Sequence, residues 1–287
     1  MNQMTHDLSA ELLARLDHFV VTSGATGEQR IAGRLFCYCA LERERLASVT
    51  PETPLLGIVL RGTKEVWTGT FNEVLPAGTV FALPGGAPVD VVNIPDARGL
   101  YESLILSIEN LPAPIQPIAG PRRIERLAIR LTAELVETLV HTAAAIGNNH
   151  AAVGKVRLTE LLMLLAEDSA GQILLAGDIA QRAQWLIAAQ PDAHWTVAQL
   201  ARELGMGASS LRRALDRLGR PFRKILAEAR MQAARRTLAD GASVTEAAVA
   251  AGYASRSHFT RAYRQAFGAT PGADARVIRR AELRSGV

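Results

Sequence analysis

Residues 195–205, WTVAQLARELG, and residues 242–252, ASVTEAAVAAG, are two versions of one pattern. Val197, Ala201 and Gly205 recur as Val244, Ala248 and Gly252, each 47 positions later. Thr196 with Gln199, and Ser243 with Glu246, have capping-box spacing: the hydroxyl accepts an unpaired backbone N–H of the first turn, and the later side chain reaches back. Each copy therefore predicts a helix start. The Ala-x-x-x-Gly spacing predicts where that helix ends, because the small residue permits a close crossing and the glycine supplies a left-handed turn. A second amphipathic stretch follows each turn. Leu211, Leu215 and Leu218 form the apolar stripe of 208–218, and Phe259, Tyr263 and Phe267 that of 255–267. The expected local fold is a pair of helix-turn-helix units.

The opposite faces of the second helices are basic. The first carries Ser209, Ser210, Arg212, Arg213 and Arg217, and the second carries Arg256, Ser257, His258, Thr260, Arg261 and Arg264. Arginines and small polar side chains on such a helix suit the base edges of a major groove, while cap N–H groups and flanking cations hold phosphates. A single hairpin of this kind is equally well explained as a structural αα-hairpin with a solvated charged face. Two copies in phase are not, and the charge distribution adds to the contrast. Residues 178–287 hold 18 Lys and Arg against 9 Asp and Glu, whereas residues 1–177 hold 14 against 19. A basic end attached to an acidic remainder points to a polyanionic partner, because phosphate neutralisation supplies most non-specific affinity for nucleic acid.

Between the two units, 221–239 is rich in strong helix formers and has no internal glycine or proline, so one connecting helix is expected. Arg235 and Arg236 on it are available to phosphate or to solvent. At this point the sequence resembles the AraC/XylS transcription regulators over roughly 178–276. The specific parts are Trp195-Thr196-Val197-Ala198-Gln199-Leu200-Ala201, then Ala248-x-x-x-Gly252-Tyr253 through Ser257-His258-Phe259-x-Arg261-Ala262-Tyr263, and Phe267-Gly268-Ala269-Thr270-Pro271. The chain departs from the family at Gly207 and Ala254, where serine is frequent, and at Ala273-Asp274-Ala275, where an aromatic is frequent. The resemblance implies a C-terminal domain whose connecting helix presents both recognition helices to successive major-groove segments, about 34 Å apart.

At 287 residues, 48% hydrophobic and 21% charged, the chain has material for two ordinary cores, so two domains are expected. No apolar run approaches the eighteen or so residues of a membrane span, and the first residues lack a basic-then-apolar signal layout, so a cytoplasmic location is expected. Cys37 and Cys39 would share one face of a strand, too close in sequence for an unstrained disulfide and too few for a zinc set. Buried structural thiols are the expected reading.

The front of the chain changes texture. Short β-rich runs at 35–41, 55–60, 64–70, 79–83, 89–94 and 100–108 are separated by glycine and proline, with Arg61-Gly62-Thr63 read as a tight hairpin turn. Residues 56–79 and the following FALPGGAPV look like the cupin-type barrel at the front of many AraC-type regulators. The expected fold class is thus α+β and multidomain. It comprises a cupin-like sensor domain with a short N-terminal helix over 1–120, a helical dimerisation or linker segment over 121–177, and an all-α double helix-turn-helix domain over 178–287. In the linker, Ile124, Leu127, Leu131, Leu135 and Leu139 form one apolar stripe and Val156, Leu161, Leu162 and Leu165 another, with Asn148-Asn149 breaking them.

A metal-dependent cupin oxygenase with an accessory helical domain is the rival from another class. It needs histidines and a carboxylate converging in the barrel. His6, His18, His141, His150, His194 and His258 leave 19–140 without a histidine, so no catalysis, metal or cofactor is expected. A small-molecule effector remains open to the barrel, with Phe36, Trp67, Phe81 and Tyr101 as candidate walls and Arg34 and Arg61 as anchors. An unliganded regulator controlled by a protein partner is the other alternative. The resemblance implies double-stranded promoter DNA and RNA polymerase as partners, a homodimer without membrane attachment, and an activator more often than a repressor.

Overall fold

Short antiparallel strands over 27–107 make the front of the chain a pair of sheets. After α1 (Asn2–Leu16) come β1 (Gly27–Ala32), β2 (Leu35–Ala40), β3 (Glu44–Val49), β4 (Leu55–Arg61), β5 (Thr63–Thr68), β6 (Phe71–Pro76), β7 (Val80–Leu83), β8 (Val89–Ile94) and β9 (Tyr101–Ser107). The five-stranded sheet has the order β1-β2-β9-β4-β7 and the four-stranded sheet the order β3-β8-β5-β6. Of the small sandwich or barrel that the short strands favour, the sandwich is what forms: the cupin-like sheets are present and do not close into a barrel. This computed structural model describes residues 2–19, 26–69, 71–120 and 124–285, with side chains from residue 7 to residue 278. Thr70 and Pro121, at the bounds of two segments read above, and the His6 side chain lie outside the described residues. The chain divides into two units, 1–178 and 179–287.

The expected strands 35–41, 55–60, 64–70, 79–83, 89–94 and 100–108 correspond to β2, β4, β5, β7, β8 and β9. Of β1 to β9, the strands outside the expected runs, β1, β3 and β6, are all sheet edges. Their sequences, GEQRIA, ERLASV and FNEVLP, alternate between half-buried and exposed positions because only one face of an edge strand needs a core neighbour. Arg61-Gly62-Thr63 is not a hairpin turn. β4 pairs with β7 and β9, while β5 pairs with β6 and β8, so these residues carry the chain from one sheet to the other. Gly62 stands there at φ 75°, and a Cβ on it would lie 2.3 Å from the Ile94 carbonyl oxygen.

The apolar stripe begun at Ile124 is also different. Residues 127–129 run antiparallel along β7: Ala82 N–H donates to Leu127 O at 3.0 Å and Ile129 N–H to Val80 O at 2.8 Å. Leu127, Ile129 and Leu131 are buried at every second residue, the strand period, and helix α2 (Ala133–Gly147) starts only after the Thr132 cap. Leu131, Leu135 and Leu139 are buried within the chain and leave no stripe in need of a partner surface. α3 (Ala151–Leu165) follows Asn148-Asn149. Its buried face is Gly154, Leu158, Leu161, Leu162 and Leu165, and Val156 is exposed.

Leu35, Leu56, Ile58, Leu104 and Leu106 on the outer face of the five-stranded sheet meet Leu139, Thr142, Ala143 and Leu161 from α2 and α3. Cys37 and Cys39 are free thiols on that same face of β2. Burial pushes them up to about 12 and about 11, which keeps both protonated and inert. Between the sheets the interior is polar at its centre. Lys64 Nζ, buried, donates to Asn93 Oδ1 at 2.6 Å and lies 5.1 Å and 5.9 Å from the ring centres of Tyr101 and Phe81. Asn93 Nδ2 and Tyr38 Oη both donate to Glu44 Oε2, at 3.0 Å and 2.8 Å. Lys64 thus reaches a carboxylate through one amide. Burial pulls its amine down to about 7, against the raising influence of Glu44.

The second unit is all helical: α4 (Ile179–Ala189), α5 (Val197–Glu203), α6 (Ala208–Arg217), α7 (Phe222–Ala239), α8 (Val244–Ala250), α9 (Arg256–Phe267) and α10 (Pro271–Ser285). Both capping boxes form, Thr196 with Gln199 and Ser243 with Glu246. Both glycine turns are left-handed, Gly205 at φ 67° and Gly252 at φ 72°. One core gathers α4, α5, α6 and the first half of α7 around Leu200, Leu211, Leu215 and Ile225. The other gathers the second half of α7 with α8, α9 and α10 around Leu238, Phe259 and Tyr263. Leu218, placed on the apolar stripe from the sequence, is the exposed cap residue of α6.

Two outcomes are expected. Gly252→Val should destabilise the second unit by about 2 kcal/mol or more, since a β-branched residue is strained at positive φ. Calorimetry should show the transition of 179–287 lowered and that of the front unit unchanged. Lys64 binds its proton less tightly folded than unfolded, so between pH 7 and pH 9 its contribution to stability rises with pH. Urea titrations should show the stability of the wild type rising with pH over this range relative to that of Lys64→Met, and a flat difference between the two would overturn the assignment.

Candidate nucleic-acid interface

A recognition helix needs a fixed start, a buried stripe and a free outer face. In the first unit, Gly205 N–H donates to Arg202 O at 3.0 Å and Met206 N–H to Ala201 O at 2.9 Å. The second repeats this with Gly252 to Val249 O at 2.8 Å and Tyr253 to Ala248 O at 2.9 Å. Both are Schellman closures, which satisfy the last carbonyls of the first helix while re-aiming the chain. Leu211 and Leu215 then hold α6, and Phe259 and Tyr263 hold α9, all four at 0% exposure. Phe259 also stacks edge-on with Tyr253 and Tyr263.

With those stripes buried, the remaining faces are set. Ser209, Ser210, Arg212, Arg213 and Arg217 are exposed on α6. Arg256, Ser257, His258, Arg261 and Arg264 are exposed on α9, and Thr260 is half-buried. Ser255 caps α9, accepting from His258 N–H at 3.4 Å. Arg217 Nε bonds back to Arg213 O at 3.3 Å, which leaves the rest of its guanidinium outward. Among the described residues, no carboxylate pairs with Arg212, Arg213, Arg217, Arg256, Arg261 or Arg264. Desolvated only when something lies over them, they form a cationic surface fit for phosphate and for the acceptors of guanine.

Arg235 is different from these. Its Nε donates to Asp274 Oδ2 at 3.0 Å, its guanidinium lies 4.9 Å from the Phe267 ring centre, and Tyr263 Oη donates to the same Asp274 oxygen at 2.7 Å. This arginine docks α10 rather than standing free for phosphate. Asp274, in the stretch that departs from the family pattern, is the residue that anchors the last helix. No local spacing marks it, because its partners lie 11 and 39 positions away.

In the front unit, the residues read as effector walls and anchors divide. Phe81 and Tyr101 flank Lys64, and Phe36, in register with Ile105 on β9, shares their face of the five-stranded sheet. Trp67 projects from the opposite face of β5 to Lys64. Arg61 pairs with Asp17 at 3.8 Å, and Arg34 is half-buried at the start of β2. Tyr101 and Ser103 are buried between the sheets, and their side chains face each other within hydrogen-bonding reach. Lys64 itself was missed from the sequence, although strand alternation puts it on the same face as buried Val66. Among the described residues no group of three His, Cys, Asp or Glu could hold a metal ion, and no helix is long and apolar enough to cross a membrane.

A family model described as a helix-turn-helix domain matches residues 200–276. The chain is 32% identical over 125 residues to the virulence regulon transcriptional activator VirF of Yersinia enterocolitica, covering 41% of this chain and 46% of that one. It is 25% identical over 221 residues to the transcriptional activator NphR of a Rhodococcus species, covering 76% of this chain and 56% of that one. The matches thus span about half the length of these curated relatives. A solved DNA-binding transcriptional dual regulator from Escherichia coli K-12 is 30% identical, with 37% of this chain and 96% of that one covered and a TM-score of 0.36. With both glycine closures and the second capping box inside the matched region, the C-terminal unit of this chain contains a helix-turn-helix domain.

Proposed function

We propose that the chain is a sequence-specific DNA-binding transcription regulator of the cytoplasm, an activator rather than a repressor. Its α6 and α9 enter successive major-groove segments of a promoter. The observation that carries this reading is the pair of helices with buried stripes and exposed arginines free of carboxylate partners, each entered through the same capped and glycine-closed turn. Arg213 and Arg261 read base edges, and Arg212, Arg217, Arg256 and Arg264 divide between bases and phosphates. The front unit takes a small-molecule effector. Phe81 and Tyr101 beside Lys64, with Phe36 on their face of the five-stranded sheet, support a site between the sheets better than Trp67 or Arg61 does. The regulator acts as a homodimer. Exposed Val153, Val156 and Met163 on α3 offer the apolar surface that the buried Leu131, Leu135 and Leu139 do not. RNA polymerase is the partner an activator requires at the promoter.

Two measurements test this. Affinity of the full chain for duplex DNA should fall steeply as salt rises, log Kd shifting by roughly 0.9 per phosphate neutralised for each tenfold increase. Affinity unchanged from low to moderate salt would overturn the electrostatic part. On an operator selected from random duplexes, Arg213→Ala and Arg261→Ala should each cost about 1–3 kcal/mol and relax base preference at separate positions about one turn apart. Equal losses on every sequence would reassign both to phosphate.

A further inference from the structure

Helix α7 is common to both cores of the second unit. Ile225 and Ala229 belong to the first, and Met231, Ala234 and Leu238 to the second. Arg230 stands at the changeover. Its Nε donates to Pro191 O at 2.9 Å and its Nη2 to Ala193 O at 3.1 Å. Both carbonyls lie on the segment joining α4 to the Thr196 cap. Trp195 Nε1 ties the same segment to Gln190 O at 2.8 Å. The turn of the second unit arrives at this place too. A Cβ on Gly252 would stand 3.0 Å from Asp192 Cα and 3.1 Å from both Pro191 O and Arg230 Nη2. The entry to the first unit, the middle of α7 and the turn of the second unit therefore meet around one guanidinium, with no side chain on Gly252 to hold them apart.

We propose that this junction sets the separation and phase of α6 and α9, and that Arg230 is the positioning residue through which the protein selects operators by the spacing between their two contacted segments. The proposal rests on the DNA-reading function argued above. Apolar contact alone is non-directional and tolerates small rotations of one core on the other. A planar guanidinium holding two carbonyls at once does not, and a lysine ammonium lacks that fixed fork. One added base pair moves the second segment by about 3.4 Å and turns it by about 35°. A locked pair of helices cannot follow that displacement, whereas an unlocked pair can adapt.

The test uses the full chain and an operator it selects from random duplexes, with one base pair inserted or deleted between the two protected segments. Wild type should lose about 100-fold in affinity on the altered spacings, and Arg230→Met less than about tenfold. Arg230→Lys should fall between them, and base-substitution penalties inside each segment should stay as in wild type. Thermal melting identifies any variant that fails to fold, and Arg230→Lys then carries the comparison. Spacing discrimination kept by the folded variant, or an equal loss on every spacing, overturns the proposal while leaving DNA reading intact. Failure of wild type to select any duplex overturns the DNA reading and this proposal with it.

Discussion

A helix has to be ended before a second can be laid across it, and in each unit that ending depends on one residue at positive φ. Gly205 and Gly252 take up the left-handed conformation that costs an ordinary L-residue roughly 1–2 kcal/mol. Their N–H groups and those of Met206 and Tyr253 satisfy the final carbonyls of α5 and α8. Ala201 and Ala248, the acceptors three residues before each cap residue, are buried and small, so the crossing helix comes close. The direction of α6 and α9, and with it the exposure of their arginines, follows from these two turns.

The basic surplus of the C-terminal unit then separates into two populations by what each guanidinium touches. Arg220 holds Gln184 and Glu228, Arg230 holds two carbonyls, and Arg235 holds Asp274. These arginines tie helices together. Among the described residues, those on α6 and α9 form no ion pair with a carboxylate, although Asp216 lies on α6 beside Arg217. A count of charges along the chain registers both groups equally. Only the second contributes to the cationic face.

In the front unit the same division between local and distant partners decides what could be foreseen. Central strands β2, β4, β8 and β9 are apolar runs between turn residues and announce themselves, since both of their faces are buried. Edge strands β1, β3 and β6 bury one face only and read as polar connections. Leu127 and Leu131 are compatible with a helix stripe through Leu135 and Leu139. The free edge of β7 makes them a strand-like extension instead. Lys64 sits inside because Asn93 and two rings receive its ammonium, and all three lie on other strands.

What the amino-acid order by itself determined is whatever depends on neighbours within about one helical turn. That covers both capping boxes, both glycine closures, the extents of α6, α7 and α9, and the outward set from Ser209 to Arg264. Helix geometry makes these relations periodic and local, so residue type and spacing are enough. The partition of β4 and β5 into different sheets, the docking of α10 by Asp274 and the meeting of Arg230 with Pro191, Ala193 and Gly252 were decided by the tertiary structure alone. Their partners are tens of residues apart, and no periodicity in a single chain encodes which distant carbonyl or carboxylate a side chain will reach once the cores have closed.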